Sequence, residues 1–239
     1  MNAAAELESL HASDKRLVRT VDGLTDAQWR EPSVLPGWSR AHVVAHLALN
    51  AEAMAAAFEG LAEGEIVPLY PSDEDRDGDI ATLASADVPE IRERLFAATT
   101  RFQDAARGLP DEAWTGGVHR LPEGPVWPAA TLPGTRRREV EIHHADLDAG
   151  YAPADWPADF VADLLTVVTH DRRYGDGEPF AVHAVDLGRT WDAGAPTPVV
   201  EGSGSDLGWW IVGRGSGAGL TSSSGTLPSL GAWRRAPAK

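Results

Sequence analysis

The sequence predicts an α+β protein, a bundle of four or five helices followed by a small α/β domain, on two observations. From residue 5 to about residue 173, apolar side chains return every three or four residues between turns rich in Gly and Pro, the spacing of helices with one buried face. After Tyr174-Gly175-Asp176-Gly177 the texture changes to short runs suited to strands. The expected boundary therefore falls near residue 175, with a helical domain over 1–174 and a small α/β domain over 175–239.

The first helix spans 5–22 through Leu7, Leu10, Leu17, Val18 and Val21, and Gly23 with Leu24-Thr25-Asp26 ends it in a turn. After the turn-rich EPSVLPGW, Ser39 stands where an N-cap belongs, and Arg40 to about Gly60 is dominated by Ala, Leu, Glu and Met, all strong helix formers. Its inward arc holds His42, Val43, His46, Leu49, Asn50 and Ala53. Residues 64–88 are expected to form a loop around the acidic SDEDRDGDI. That run resembles the start of an EF-hand at Asp73, Asp75, Asp77 and Gly78, but the twelfth position is Ala84, where calcium needs a bidentate Glu. A solvated acidic loop is therefore expected.

Helical spacing resumes over 88–107 (Ile91, Leu95, Phe96, Phe102) and stops at Gly108-Leu109-Pro110. A connector rich in Gly, Pro and Trp leads to a further helix, which starts either before Pro133-Gly134 or at Thr135. Another helix follows over 158–173 through Phe160, Leu164, Leu165 and Val168. Beyond it, PFAVHAVDLGRTWDA predicts two short strands around Leu187-Gly188, 198–201 another strand, and 205–212 a short helix capped by Ser203 or Ser205.

A formal net charge of −15 over 239 residues repels phosphate backbones and anionic membrane surfaces, so neither nucleic acid nor membrane is an expected partner. No apolar run approaches the ~20 residues that cross a bilayer. The N-terminal MNAAAELESLHASDKRL lacks the basic region and apolar core of a secretory signal, so a cytoplasmic location is expected. There is no cysteine, which excludes disulfides, thiolate ligands and an intrinsic thiol nucleophile. Any sulfur chemistry must be brought in by a cofactor.

The chemistry-bearing stretch is RRREVEIHHADLDAGY, residues 136–151. At ~100° per residue Glu139, His143 and Asp146 share a narrow arc flanked by Val140, Ile142 and Leu147, which is expected to face inward. Glu141, His144 and Asp148 lie opposite, with Arg137, where a polar stripe meets water. A buried carboxylate and imidazole one turn apart need a partner or a cation. With His46 they form a mixed N and O donor set of three, the ligand count of a catalytic zinc with an open fourth position. An Asp, Glu and His network that satisfies itself is the alternative. In GRGSGAG, residues 213–219, the glycines do not open a helix after a strand, so a dinucleotide fingerprint is not expected. Arg214 within it is a candidate carboxylate clamp.

LPGWSRAHVVAHLALNAEA, RRREVEIHHADL and the late GRGSGAGLTSSSG together resemble the mycothiol-dependent maleylpyruvate isomerases, over essentially the whole chain. The resemblance implies a DinB-like, up-and-down four-helix bundle followed by a small C-terminal α/β domain. It implies that His46 rather than His42 is a metal ligand, with Glu139 and His143 as the other two, and that Arg214 matters for activity, holding a substrate carboxylate or stabilising an enolate. It implies two cofactors, a divalent metal (zinc first, with nickel, cobalt and iron also accepted by two His and one Glu) and mycothiol, whose thiolate would add to the cis double bond of maleylpyruvate. Rotation and expulsion would then leave fumarylpyruvate, a reaction of aromatic catabolism. The implied partners are a small-molecule substrate and a low-molecular-weight thiol, and a monomer is expected. A mycothiol S-transferase acting on another electrophile would use the same ligands, and a non-catalytic binding protein would keep the fold alone. Pro133-Gly134 departs from relatives that continue a helix there. Asp146 is a candidate acceptor behind a ligating imidazole.

Overall fold

The computed structural model describes residues 3–233 and divides into two compact units between Tyr151 and Ala152. The first unit is built on four long helices. In chain order these are α1 (Ala3–Asp22), α3 (Arg40–Glu63), α5 (Val88–Gly108) and α6 (Leu132–Asp146), with the short α2 (Asp26–Arg30) and α4 (Asp73–Ser85) inserted between them. The long four close a ring, α3 packing on α5 and α6, and α1 on the same two. Inside lie Leu10, Leu17, Leu47, Phe58, Leu95 and Phe102, each at most 1% exposed. At about 1.5–3 kcal/mol for each such side chain taken from water, this interior dominates the stability of the unit.

Local signals explain where the helices begin and end. Thr25 caps α2 in a capping box with Gln28, and the Asp87 carboxylate caps α5 by accepting from the Glu90 N–H at 3.0 Å. α3 stops at Gly64, whose φ of 80° is the left-handed conformation that a side chain resists. α6 starts ahead of the Pro133-Gly134 pair, with the proline in its first turn, where the absent N–H costs nothing. Between α5 and α6 a small hairpin joins β1 (Gly117–His119) to β2 (Val126–Pro128), antiparallel, with Val118 opposite Trp127.

The acidic stretch expected as a loop is instead the helix α4. Ser72 caps it, its hydroxyl accepting from the Asp75 N–H at 2.9 Å, and Asp73, Glu74 and Asp75 fill the first turn, where negative charge meets the positive end of the helix dipole. Ile80, Leu83 and Ala84 are buried at helical spacing. Burying Ile80 and Leu83 contributes about 3–6 kcal/mol, which outweighs the ~1 kcal/mol that Gly78 costs mid-helix. α3 is long and apolar enough, by length and composition, to cross a bilayer, which the sequence reading did not anticipate. Most of its apolar window is buried within the bundle as the central helix.

The second unit opens with α7 (Ala158–Arg172), followed by β3 (Phe180–Ala184), β4 (Arg189–Gly202), α8 (Gly204–Ile211) and the two-residue β5 (Thr221–Ser222). The first part of β4 returns beside β3 as a hairpin, Val182 opposite Trp191. Its later part runs parallel to β3, Val182 opposite Val200, after a bend at Gly194 with φ 108°. Ser203 caps α8, accepting from the Asp206 N–H at 3.1 Å. Compared with the boundary expected at 174/175, the division falls before α7 rather than after it. α7 packs on β4 and α8: the Trp191 indole donates to Thr166 at 2.9 Å, Arg172 donates to the Ile211 carbonyl, and a Cβ on Gly208 would meet Leu164 at 3.2 Å. Its amphipathic pattern was correctly helical, but a period of 3.6 does not say which layer the apolar face covers.

Candidate metal centre

α3 and α6 bring His46, Glu139 and His143 together from positions 93 residues apart in sequence at the widest bonded pair. His46 sits two turns into α3. His42, one turn earlier, is occupied at the helix start, its Nδ1 2.8 Å from the Ser39 hydroxyl. His46 Nε2 lies 3.0 Å from Glu139 Oε2, His143 Nε2 lies 3.4 Å from the same oxygen, and the two imidazole centroids are 4.7 Å apart, edge to face. One donor atom from each of the three lies within 4.8 Å of the others. Two imidazole nitrogens and a carboxylate oxygen at that spacing fit one divalent ion with bonds of about 2.0–2.2 Å.

Asp146, fully buried, fixes the orientation of one ring. Its Oδ2 lies 2.8 Å from His143 Nδ1, so that nitrogen carries a proton and Nε2, on the Glu139 side, is the nitrogen an ion would take. Burial pushes His143 down, but the Asp146 and Glu139 carboxylates outweigh it and hold the imidazole above its ordinary value. For Glu139, burial pushes up and the hydrogen bonds from His143 and His46 overcome it, leaving the carboxyl well below its ordinary range and ionised. His46 is ruled by burial, which lowers it to about 4, so its ring is neutral at pH 7 as a ligand must be. Asp146→Asn keeps the shape but loses the charged acceptor. Zinc affinity is expected to fall by about ten- to hundredfold, the usual effect of losing a partner behind a ligating imidazole, as read by competition with a chelator of known affinity.

The opposite face of α6 does not meet water as expected. Glu141 and His144 are buried, as is Arg137, and only Asp148 beyond the helix is exposed. Ser13 and Arg16 of α1 and the hydroxyl of Tyr151 all donate to the Glu141 carboxylate, and the Tyr151 ring stacks on His144 at 3.8 Å and 7°. His144 Nε2 lies 2.8 Å from the Thr20 hydroxyl. The polar stripe is thus a buried joint between α1 and α6, and it contributes no donor to the three-residue cluster.

A cavity of about 290 Å³ opens beside His46 between α3, α4 and α5, with Leu49, Leu69, Tyr70 and Arg76 in its wall. Trp38 packs edge to face on the His46 ring at 5.9 Å. Arg76 and Tyr70 were missed in the sequence because both lie in the segment expected as a loop, Tyr70 just before α4 and Arg76 within it. The remaining residue expected in the site, Arg214, is carried by the second unit in the turn after α8. It is half-buried, its N–H bonded to the Trp209 carbonyl at 3.0 Å and its Nη1 3.3 Å from the Val212 carbonyl. Gly213 and Gly215 on either side have φ of 81° and 65°, which explains the glycines without any ligand.

Fold and site together define a helix-bundle protein with a three-donor cluster, sized for one divalent ion, of which His46 also lines an open cavity. Residues 10–148 match the family described as the mycothiol maleylpyruvate isomerase N-terminal domain, and the chain belongs to that family. Two solved structures, of a mycothiol-dependent maleylpyruvate isomerase and of its histidine-to-alanine mutant, each superpose with a TM-score of 0.87 at 28% identity, covering 96% of both chains. A search of curated proteins returned no match.

Proposed function

We propose that this chain is a metal- and mycothiol-dependent maleylpyruvate isomerase, converting the cis compound to trans fumarylpyruvate. The observation that carries this reading is the meeting of His46, Glu139 and His143 beside an open cavity, in a chain of the isomerase family. Bound there, a divalent ion and mycothiol would supply a thiolate at neutral pH, the nucleophile that a chain without cysteine does not have.

The protein's own contribution is orientation. His46 offers a neutral nitrogen, Glu139 an ionised oxygen, and Asp146 holds the proton on His143 Nδ1 so that Nε2 stays available. Three protein donors, two of them neutral, leave an ion its positive character, which favours a thiolate over a thiol. Zinc suits this donor set best, as a closed-shell ion indifferent to geometry. Arg214 is assigned to a substrate carboxylate on the family resemblance, since a guanidinium fork matches a carboxylate and offsets a chain of net charge −15. Dependence on a reduced thiol fits a reducing, cytoplasmic compartment.

The test is to incubate zinc-loaded protein with maleylpyruvate, with and without mycothiol, and follow the trans product. Fumarylpyruvate is expected only with the thiol present. Equal rates without it, or accumulation of a stable thiol conjugate instead of the isomer, would overturn the reading.

A further inference from the structure

The cavity beside His46 is lined by two residues, Arg76 and Tyr70, that carry hydrogen-bond donors the three-donor cluster does not use. Arg76, on α4, places Nη2 3.2 Å from His46 Nδ1 and its guanidinium carbon 5.7 Å from the centre of the Tyr70 ring, while Nη1 donates to the exposed Asp77 at 2.6 Å. Tyr70 is buried and lines the cavity. Its hydroxyl oxygen accepts from Asn50 Nδ2 at 3.2 Å, and Asn50 Oδ1 accepts from Arg136 Nη1 at 2.8 Å, a guanidinium only 1% exposed. With its oxygen engaged on the protein side, the Tyr70 hydroxyl proton has no recorded acceptor among the described residues. The other arginines in this wall are already committed, Arg94 to Glu52 through bonds of 2.7 and 2.9 Å and Arg101 to Glu59.

The contact between Arg76 and His46 is incompatible with an occupied site. Arginine only donates, so His46 Nδ1 must accept, and the ring proton must then sit on Nε2, where it faces Glu139. A ligand nitrogen needs its lone pair, so an ion on Nε2 moves the proton to Nδ1, leaving two donors opposed at 3.2 Å. Arg76 must then turn to another acceptor, and the cavity it lines is the space open to it. The Nη2 arm so released, beside the Tyr70 hydroxyl, is a charged donor that suits an oxygen-rich anion, while Nη1 stays on the exposed Asp77.

We propose that Arg76 and Tyr70 are substrate-binding residues, Arg76 taking a carboxylate and Tyr70 a carbonyl oxygen of a small keto acid held beside the three-donor cluster. The isomerase reading supplies the identity of that keto acid, but the pairing itself does not depend on turnover.

The probe is 4-oxopentanoate, a saturated keto acid with no conjugated double bond for a thiol to add to, titrated into zinc-loaded protein without mycothiol and followed by calorimetry. Arg76→Met is expected to weaken binding by about tenfold or more, the loss of a charge-assisted hydrogen bond. Arg76→Lys should recover part of it, and Tyr70→Phe should weaken binding by about threefold to tenfold. Zinc stoichiometry should be unchanged in all three, and zinc affinity in Arg76→Met should rise, because the guanidinium bond that favours the empty ring is gone. A role confined to holding α4 in place would lower zinc and keto acid binding together, and that outcome overturns the proposal. So does equal 4-oxopentanoate binding in wild type and Arg76→Met, or none in wild type. If wild type binds the probe as described but shows no thiol-dependent isomerisation, the isomerase reading fails and the binding pair stands.

Discussion

His46→Ala is expected to leave the purified protein with well under one zinc per chain and to abolish thiol-dependent isomerisation, while His144→Ala keeps its full complement of metal. The physical reason is the difference between the two faces of α6. His46, reaching in from α3, is the neutral donor that lies 3.0 Å from Glu139, and without it only two protein ligands remain, both on α6. Loss of a partner behind a ligating imidazole costs ten- to hundredfold in affinity, and loss of a direct ligand should exceed about a hundredfold. His144 is just as histidine-like in sequence, but its Nε2 lies 2.8 Å from Thr20 and its ring is stacked on Tyr151. Its removal should lower the thermal midpoint and leave zinc in place. Metal analysis of both variants, with circular dichroism to show that each remains helical, decides the matter. Retention of zinc in His46→Ala with its loss in His144→Ala would mean that the cluster is not the metal site.

Periodicity made much of this legible, and its failures share a cause. A helical wheel places Glu139, His143 and Asp146 on one arc and Glu141 and His144 on the other, and the structure keeps that division. What the wheel cannot supply is the surroundings of each arc. Glu141 was expected in water because it is charged. It is buried because Ser13 and Arg16 reach it from 128 and 125 residues away in sequence. The same holds for α7, whose apolar stripe is plain but whose partners in β4 and α8 come later in the chain. The α4 segment failed differently: a run of acids outweighed the Ile80, Leu83 and Ala84 spacing and the Ser72 to Asp75 cap, both of which were visible. Misreading that segment concealed Arg76, and with it the cavity side of the site. Which histidine of the pair on α3 belongs to the cluster could not be found from helix geometry, since His42 and His46 share an arc. The family resemblance made that choice, and in the structure His42 is engaged locally at the Ser39 cap.

The buried joint on the far side of α6 predicts the largest effect on stability. Glu141→Ala is expected to destabilise the protein by about 3 kcal/mol, at the low end of the 3–5 kcal/mol typical when one member of a buried charged network is removed. The low end applies because the Arg16 side chain is 32% exposed and the Tyr151 phenol is half-buried, so both recover hydration, whereas the fully buried Ser13 hydroxyl loses a charged acceptor at 2.5 Å. Burial and then the Glu141 carboxylate push the Tyr151 phenol up, so it stays protonated and donates at neutral pH. At roughly 2–4 °C per kcal/mol for a chain of this size, the thermal midpoint should fall by about 6–12 °C. Zinc content at 20 °C should not change, because Glu141 contributes no donor to the cluster and α6 is held on its other face by Val140 and Leu147 in the core. An unaltered midpoint would show that α1 and α6 are joined by apolar packing alone. Loss of zinc without loss of stability would show instead that the joint exists to aim Glu139 and His143.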